Sequence, residues 1–317
     1  MTVPSNLVST ASSVGQREDL EDVIYRVAPE KTPFVSMIGK GKAKARTHEW
    51  QTESLAAADA TNAAVEGDDA PTMAANTTTR LKNFCQIFVK AYGVSRTQEL
   101  VDLAGRSSEL VRQRVIKGVE IRRDMEKRFI GNYASNDESG ATPRRSAGLL
   151  AWITTNDSRG SGGSDGGYSG GTVSAATNGT QRTLTEALVK AALATAFNTG
   201  ADVKVAFMGA THKQQFSAFT GIAGIRKEVT GRGQATIIAG ADVYVGDFNE
   251  IALVPHPYGL TRDIALVDPS MAAVASLDGV KTEALAKTGD SNRELMTMEA
   301  TLVVRNEAAH AVVADLT

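Results

Sequence analysis

A single cysteine, Cys85, stands in 317 residues, so an internal disulfide framework and a cysteine-based zinc cluster are both excluded. Its neighbours Phe84, Ile87 and Phe88 make it a packed strand thiol. Histidine is nearly as scarce: His48, His212, His256 and His310 lie in unrelated segments, without HExxH or HxH spacing. The GxxxxGK[ST] phosphate loop and the GxSxG nucleophile elbow are missing as well. Gly39-Lys40-Gly41-Lys42 and Gly231-Arg232-Gly233 read as turns, because the first precedes a strand and the second lacks a third glycine. Neither sign of charge prevails, with 34 Lys and Arg against 36 Asp and Glu and a formal net charge of -2, so contact with a polyanion must come from local patches. No run approaches the roughly 18 apolar residues of a membrane helix, and MTVPSNLVSTASSVG has neither the basic start nor the apolar stretch of a signal peptide. Aromatic residues are only 5% while glycines number 29, a balance that favours extended, loop-rich construction.

What is present is strongly segmented. Residues 1–16 carry no apolar period and read as an extended arm. Leu20, Val23, Ile24 and Val27 then fall at three-and-four spacing, which predicts a short amphipathic helix stopped by Pro29. Thr32-Pro33 opens a second short turn with Phe34, Val35, Met37 and Ile38. Strands are expected over 42–55 and 79–94, separated by LAAADATNAAVEGDDAPTMAANTT, whose side chains are too small and polar to make a core. The pair therefore reads as a long two-stranded excursion, marginal in water unless it lies on something.

Residues 96–133 give the longest helical signal, with Val111, Val115 and Val119 on one i, i+4 row and Ile121, Met125 and Phe129 on another. Even the part after Gly105 would span about 40 Å at 1.5 Å per residue. A long surface loop is expected over 135–182, where SRGSGGSDGGYSGG is of low complexity. Residues 183–274 alternate helix and strand as a compact α/β block, and the chain after Asp278-Gly279 turns strand-rich, with two long strands expected in 293–316 packed on the long helix. The fold class read from this order is α+β.

The chemistry-bearing candidates are few. Asp68-Asp69 sits in the excursion's tip, and the sequons at Asn76 and Asn178 lack a secretory context. Between 96 and 128 nine Lys and Arg face six Asp and Glu, which makes Arg112, Arg114, Arg122 and Arg123 candidates to face DNA or the inside of an assembly. The plainer reading of the same residues is a solvated face laced with i, i+4 pairs. A hydrolase built from His212, His256 and Asp268 with a loop serine is the competing enzymatic reading, but it leaves the excursion and the long helix idle.

The order of these parts resembles the tailed-phage major capsid proteins of the Hong Kong 97 type. The segment DVIYRVAPEKTPFVSMIGKGKAKARTHEWQTESL carries the most specific similarity, at Asp22, Ile24, Pro29, Thr32-Pro33-Phe34, Gly39, Glu49-Trp50 and Leu55. Gly148-Leu149-Leu150, DSNRE at 290–294 and the closing EATLVVRNEAAHAVVADL extend it over nearly the whole chain. The resemblance implies an N-terminal arm at 1–40, an extended hairpin (E-loop) at 41–94, a peripheral domain with a spine helix and terminal strands at 95–182 and 275–317, and an axial domain at 183–274. It implies a non-enzymatic subunit, without cofactor, metal or membrane, that forms pentamers and hexamers of an icosahedral head around double-stranded DNA held without sequence specificity. Scaffolding, portal and decoration proteins are its implied partners, the virion capsid its location, and the host cytoplasm its place of assembly. A cargo-enclosing compartment of the same fold is the near alternative.

Some members carry an N-terminal scaffolding segment, expected to be absent here because the first amphipathic helix begins near Arg17. Some cross-link through a hairpin lysine, an asparagine and a glutamate in the peripheral domain. Lys42, Lys44, Lys82 and Asn292 lie near the corresponding regions, without a pattern that fixes the match. Val23, Ile24, Trp50, Leu55, Leu81, Phe84 and Phe88 are the expected contacts between subunits, since they are the apolar side chains on the arm and on the excursion.

Overall fold

A computed structural model describes residues 28–317, apart from 68, 70–74, 104, 106 and 220–241. The arm, the amphipathic helix at 17–28, and with them Val23 and Ile24, lie outside the described residues but for Ala28. Pro33 begins the five-residue helix α1 (Pro33–Met37), where its missing N–H costs nothing.

The expected turn at Gly39-Lys40-Gly41-Lys42 is instead a strand, β1 (Gly39–Lys42), lying parallel to β12 (Ala272–Ala284). Its partner is more than 230 residues away, and Gly39 and Gly41 let it run close over Ala273 and Ala275. The single strand expected over 42–55 is therefore two, β1 and β2 (Thr47–Thr52). The next is also divided, at the buried Cys85, into β3 (Thr79–Phe84) and β4 (Gln86–Ser95).

Strands β2 and β3 form the antiparallel excursion, from Thr47 opposite Phe84 to Thr52 opposite Thr79. Beyond Thr52 every described residue from Glu53 to Gly67, and again from Ala75 to Arg80, is exposed. Strand β4 leaves this hairpin for a second sheet, in the order β1-β12-β13-β4, pairing over ten residues with β13 (Ser291–Val304). The long terminal hairpin is thus β12–β13. The two strands expected within 293–316 are one long strand and the short β14 (Ala311–Val313), which belongs to a different sheet.

The expected beam, with an interruption anticipated at Gly105, is two helices, α2 (Arg96–Leu100) and α3 (Glu109–Ile130), with Gly105 between them at φ 72°. Ser108 caps α3 by accepting from the Val111 N–H, and at 22 residues α3 is about 33 Å long, shorter than expected. Its two apolar rows have different fates. Ile121, Met125 and Phe129 are buried against β4 and β13, each contributing roughly 1.5–3 kcal/mol, whereas Val111 and Val115 remain exposed.

The expected surface loop at 135–182 is a built structure. It holds α4 (Leu149–Trp152), β5 (Asp157–Ser158) and the hairpin of β6 (Gly167–Ser169) with β7 (Thr172–Ser174). Its glycines are there for close packing: a Cβ on Gly160 would lie 2.0 Å from the Thr180 carbonyl oxygen. Asp315, buried at φ 59°, accepts from Gly160 N (3.0 Å), Gly179 N (2.9 Å) and Arg262 Nη2 (2.9 Å). Burial pushes its carboxyl up, but these bonds outweigh that and hold it below the usual range.

The remaining elements are α5 (Glu186–Asn198), β8 (Val205–Met208), α6 (Ala210–Ser217), β9 (Val243–Val245), β10 (Glu250–Pro255) and β11 (Ile264–Val267). The six-stranded sheet runs β5-β14-β11-β8-β10-β9, with α5 packed on β14 and α6 on β10. The α/β block expected at 183–274 therefore takes its outer strands from 157–158 and 311–313. One apolar cluster, including Phe34, Phe129, Trp152, Phe207 and Leu302, joins α1, α3, α4 and strands of both sheets.

Candidate assembly surface and its junctions

The root of the excursion is fixed by one amide. Asn83 is fully buried; its Nδ2 donates to Ser146 Oγ (3.1 Å) and the Leu302 carbonyl (2.8 Å), while its Oδ1 accepts from Phe84 N (3.0 Å) and Ala147 N (2.9 Å). Cys85 packs beside it against Ala43, Ala273, Ala275 and Val303. Burial and the neighbouring Glu299 push its thiol up to about 11, against an opposing pull from Arg144. It is an inert packed thiol. Arg144 ties the root from outside, donating to the Cys85 carbonyl (2.6 Å), Glu138 (2.8 Å) and Glu299 (2.9 Å).

Of the apolar residues expected to meet a neighbour, two are corrected. Phe84 and Phe88 are 2% and 5% exposed, and Phe88 packs edge-to-face on Phe129 with ring centres 5.8 Å apart. Both are spent on the subunit's own core, a choice that the alternation of a strand leaves open. Trp50 is half-buried on Trp152 (5.5 Å), and Trp152 stacks in turn on Tyr168 (5.6 Å). Leu81 is half-buried and Leu55 is 89% exposed. A cleft of about 920 Å³ opens beneath them, lined by Leu55, Leu81, Trp152, Tyr168, Asn306 and their neighbours.

The four arginines of α3 do not make one basic face. Arg112 is held by Glu109 (2.8 Å), and Arg114 makes two bonds to Glu294 (2.6 and 3.1 Å). Arg123 lies over the Tyr258 ring at 5.4 Å, and Arg122 is exposed. Lys82 lies over the Phe84 ring at 5.7 Å, and Asn292 pairs with Val94 in the β13–β4 ladder.

The junction that sequence reasoning missed centres on Glu126. Its side chain is wholly buried in α3, with Oε1 accepting from Phe34 N (2.7 Å) and Oε2 from Val35 N (2.8 Å), at the first turn of α1. Oε1 also lies 2.8 Å from His256 Nε2. Because His256 Nδ1 accepts from Tyr258 N (3.2 Å), the ring proton sits on Nε2 and is donated to Glu126. Tyr258 Oη donates to the Pro29 carbonyl (2.5 Å). One carboxylate thus joins the segment leaving the N-terminal arm, the long helix and the end of β10. In the sequence Glu126 is one of six acidic residues between 96 and 128, and its partners are 92 and 130 positions away; no local signal marks it.

The proposed hydrolytic set is not assembled. His256 is committed to Glu126, Asp268 accepts from Ser270 N (3.0 Å) and Ser270 Oγ (2.8 Å), and buried His212 has no polar partner among the described residues. No cluster of three or more potential metal ligands occurs among the described residues. His310 is fully buried, its Nδ1 accepting from Asp268 N (3.3 Å). Burial drops it to about 4, against the opposing pulls of Asp268 and the Met271 backbone.

That depression has a sign. Between pH 6.5 and 4 the unfolded chain takes up a proton at this position and the folded chain does not, so stability falls as pH falls through that window. The loss should reach about 3 kcal/mol near pH 4. Urea melts at pH 7 and 4.5 test it: His310→Asn, whatever its own stability at pH 7, should lose less than the parent between the two. An equal loss would show that His310 is not the group responsible.

The SU10 major capsid protein family model matches residues 7–317. The chain belongs to that major capsid protein family. The major capsid protein of Escherichia phage Phieco32 is 37% identical over 123 residues, which is 39% of this chain and 35% of that relative, so the matched stretch spans about a third of the relative's length. Among solved structures, the cyanophage A-1(L) capsid asymmetric unit superposes with a TM-score of 0.66 at 12% identity, covering 98% of both chains. The capsid of a native GTA particle gives 0.61 at 12% identity, covering 97% of this chain and 98% of that one. At such identities the likeness is one of fold, and the fold is the α+β, Hong Kong 97-like capsid fold expected from the resemblance. No helix among the described residues is long and apolar enough to cross a membrane.

Proposed function

We propose that this major capsid protein builds, copy against copy, the closed icosahedral shell of a tailed-phage head, and that the shell encloses double-stranded DNA. The observation that carries this reading is the excursion β2–β3. Its two strands end in a connection, residues 53–78, whose described residues are exposed without exception. An isolated ribbon of this kind is marginal in water, and neighbouring copies are what can cover it. Many modest contacts repeated around pentamers and hexamers then make a shell far more durable than any one of them.

In this reading the subunit has no catalytic task. It is divided into an N-terminal arm (1–40), an extended hairpin (41–94), a peripheral domain (95–182 and 275–317) and an axial domain (183–274), although β4 joins the four-stranded sheet and β5 and β14 join the six-stranded sheet across those bounds. Scaffolding, portal and decoration proteins are its further partners, and assembly takes place in the host cytoplasm. DNA is held by confinement and weak salt-dependent contacts, since the net charge is close to zero.

Purified protein examined by negative-stain microscopy and sizing should give closed particles of megadalton mass, and particles from infected cells should protect DNA from nuclease. Particles that hold protein cargo and no DNA would select the compartment alternative. A protein that stays monomeric or dimeric under all assembly conditions would overturn the shell reading.

A further inference from the structure

Asn178 and Gly179 make the one Asn-Gly step of the chain. Such a step is chemically weak, because a glycine nitrogen has no Cβ beside it to hinder its approach to the asparagine carboxamide. The carboxamide is open to attack here: Asn178 is exposed, and its side chain has no hydrogen bond among the described residues. The glycine, by contrast, is required. A Cβ on Gly179 would lie 2.5 Å from the Gly160 carbonyl oxygen and 2.7 Å from Gly163 N, so packing on the 160–163 turn excludes a side chain at this position. The fold has to contain the weak step, since it cannot dispense with the residue that creates it.

The peptide group is held at both ends. Gly179 N donates to Asp315 Oδ1 (2.9 Å), and the Gly179 carbonyl accepts from Arg262 Nη2 (2.8 Å), which donates to the same carboxylate oxygen (2.9 Å). The flanking residues are tied as well, Thr177 N to the Ser164 carbonyl (2.8 Å) and Thr180 N to the Ser161 carbonyl (2.8 Å). We infer that Asn178-Gly179 is a latent deamidation site that Asp315 keeps shut. Deamidation begins when Gly179 N loses its proton to a base and attacks Cγ of Asn178. The side-chain nitrogen leaves as ammonia, and the five-membered imide that remains takes up water to give aspartate or isoaspartate. One asparagine and one water thus become one acidic residue and one ammonia. The bond to Asp315 opposes the first step in two ways: a charged acceptor holds the N–H strongly, and together with the Arg262 bond it stops the peptide from turning its nitrogen toward Cγ. Asp315 is itself a poor base for that proton, because its carboxyl is held below the usual range.

Once begun, the change undoes its own restraint. The imide nitrogen carries no hydrogen, so ring formation takes from the buried Asp315 carboxylate one of its three donors, Gly160 N, Gly179 N and Arg262 Nη2. Isoaspartate then lengthens the backbone by a methylene where Gly179 has no room to move against Gly160. The site is a place where a subunit ages irreversibly, at a rate set by how often the bond between Gly179 and Asp315 opens.

The test follows the full-length protein at one mildly alkaline pH, folded and, in parallel, unfolded in guanidinium. Trypsin releases residues 160–182, in which Asn178 is the one asparagine, so conversion is read from the fragment's mass and isoaspartate from its retention time. Folded protein should convert about tenfold more slowly than unfolded protein, or more slowly still. Asp315→Asn suits the positive φ at this position and keeps an accepting oxygen but removes the charge, and it should speed conversion of the folded protein about tenfold. The inference is overturned if the folded parent converts as fast as the unfolded chain, or if Asp315→Asn melts cooperatively and converts at the parental rate. Should Asp315→Asn not fold, hydrogen exchange at the Gly179 amide of the parent decides: slow exchange alongside slow conversion supports the inference, and exchange as fast as in the unfolded chain overturns it.

Discussion

Glu126→Ala should cost the subunit about 3–5 kcal/mol, because it strands two backbone N–H groups and the His256 Nε2–H in a site where both side chains are wholly buried. Against a total stability of 5–15 kcal/mol that is a large fraction. Glu126→Gln keeps the shape and one accepting oxygen but turns an amide donor toward a donor, and should cost about 1–3 kcal/mol. Urea melts of unassembled subunits give both values. The alanine variant should also become sensitive to protease between Pro29 and Ile38, since Phe34 loses the anchor that seats α1. A melt within 1 kcal/mol of the parent would mean that apolar packing of Phe34 alone sets the junction.

The second large effect separates folding from assembly. Replacing residues 53–78 by a tight Asn-Gly turn removes side chains that are exposed throughout their described part, so the cooperative melt of the subunit should stay within about 1 kcal/mol of the parent. Closed particles, however, should be lost or should dissociate at much lower denaturant. The tip of the parent should be cut by protease in free subunits and protected in particles, because ordering it costs about 1–2 kcal/mol per residue that only a neighbour can offset. Shortened subunits that assemble into shells as resistant as the parent's would show that the tip is dispensable.

The elements that declare themselves through spacing were legible. Ile121, Met125 and Phe129 recur at i, i+4 and are buried; Thr32-Pro33 starts a helix; the described residues of the small, polar stretch after Leu55 are exposed. What was not legible depends on partners distant in sequence. Gly39 to Lys42 is too short and too small to advertise a strand, and it becomes one because β12 offers an edge. Phe84 and Phe88 sit on an alternating strand whichever protein molecule covers them. The glycine-rich stretch reads as a surface loop because it is of low complexity, yet backbone N–H groups of Gly160 and Gly179 converge on Asp315, 155 and 136 positions away. Glu126 is the same case: a buried carboxylate cannot be told from a solvated one until its donors are in place.

The pairing of β4 with β13, and the placing of β14 beside β11 inside the other sheet, put a clock on production of the subunit. Residues 86–95 acquire their partner only after 291–300 have been translated, and the six-stranded sheet stays incomplete until 311–313 emerge. A ribosome-bound chain therefore displays a β4 edge for most of its synthesis and a β11 edge from residue 267 until 311–313 emerge, in a cell where many identical chains are being made at once. Dense polysomes are where aggregation through those open edges competes with folding, which favours chaperone shelter for the nascent chain and couples head yield to translation rate as much as to subunit concentration.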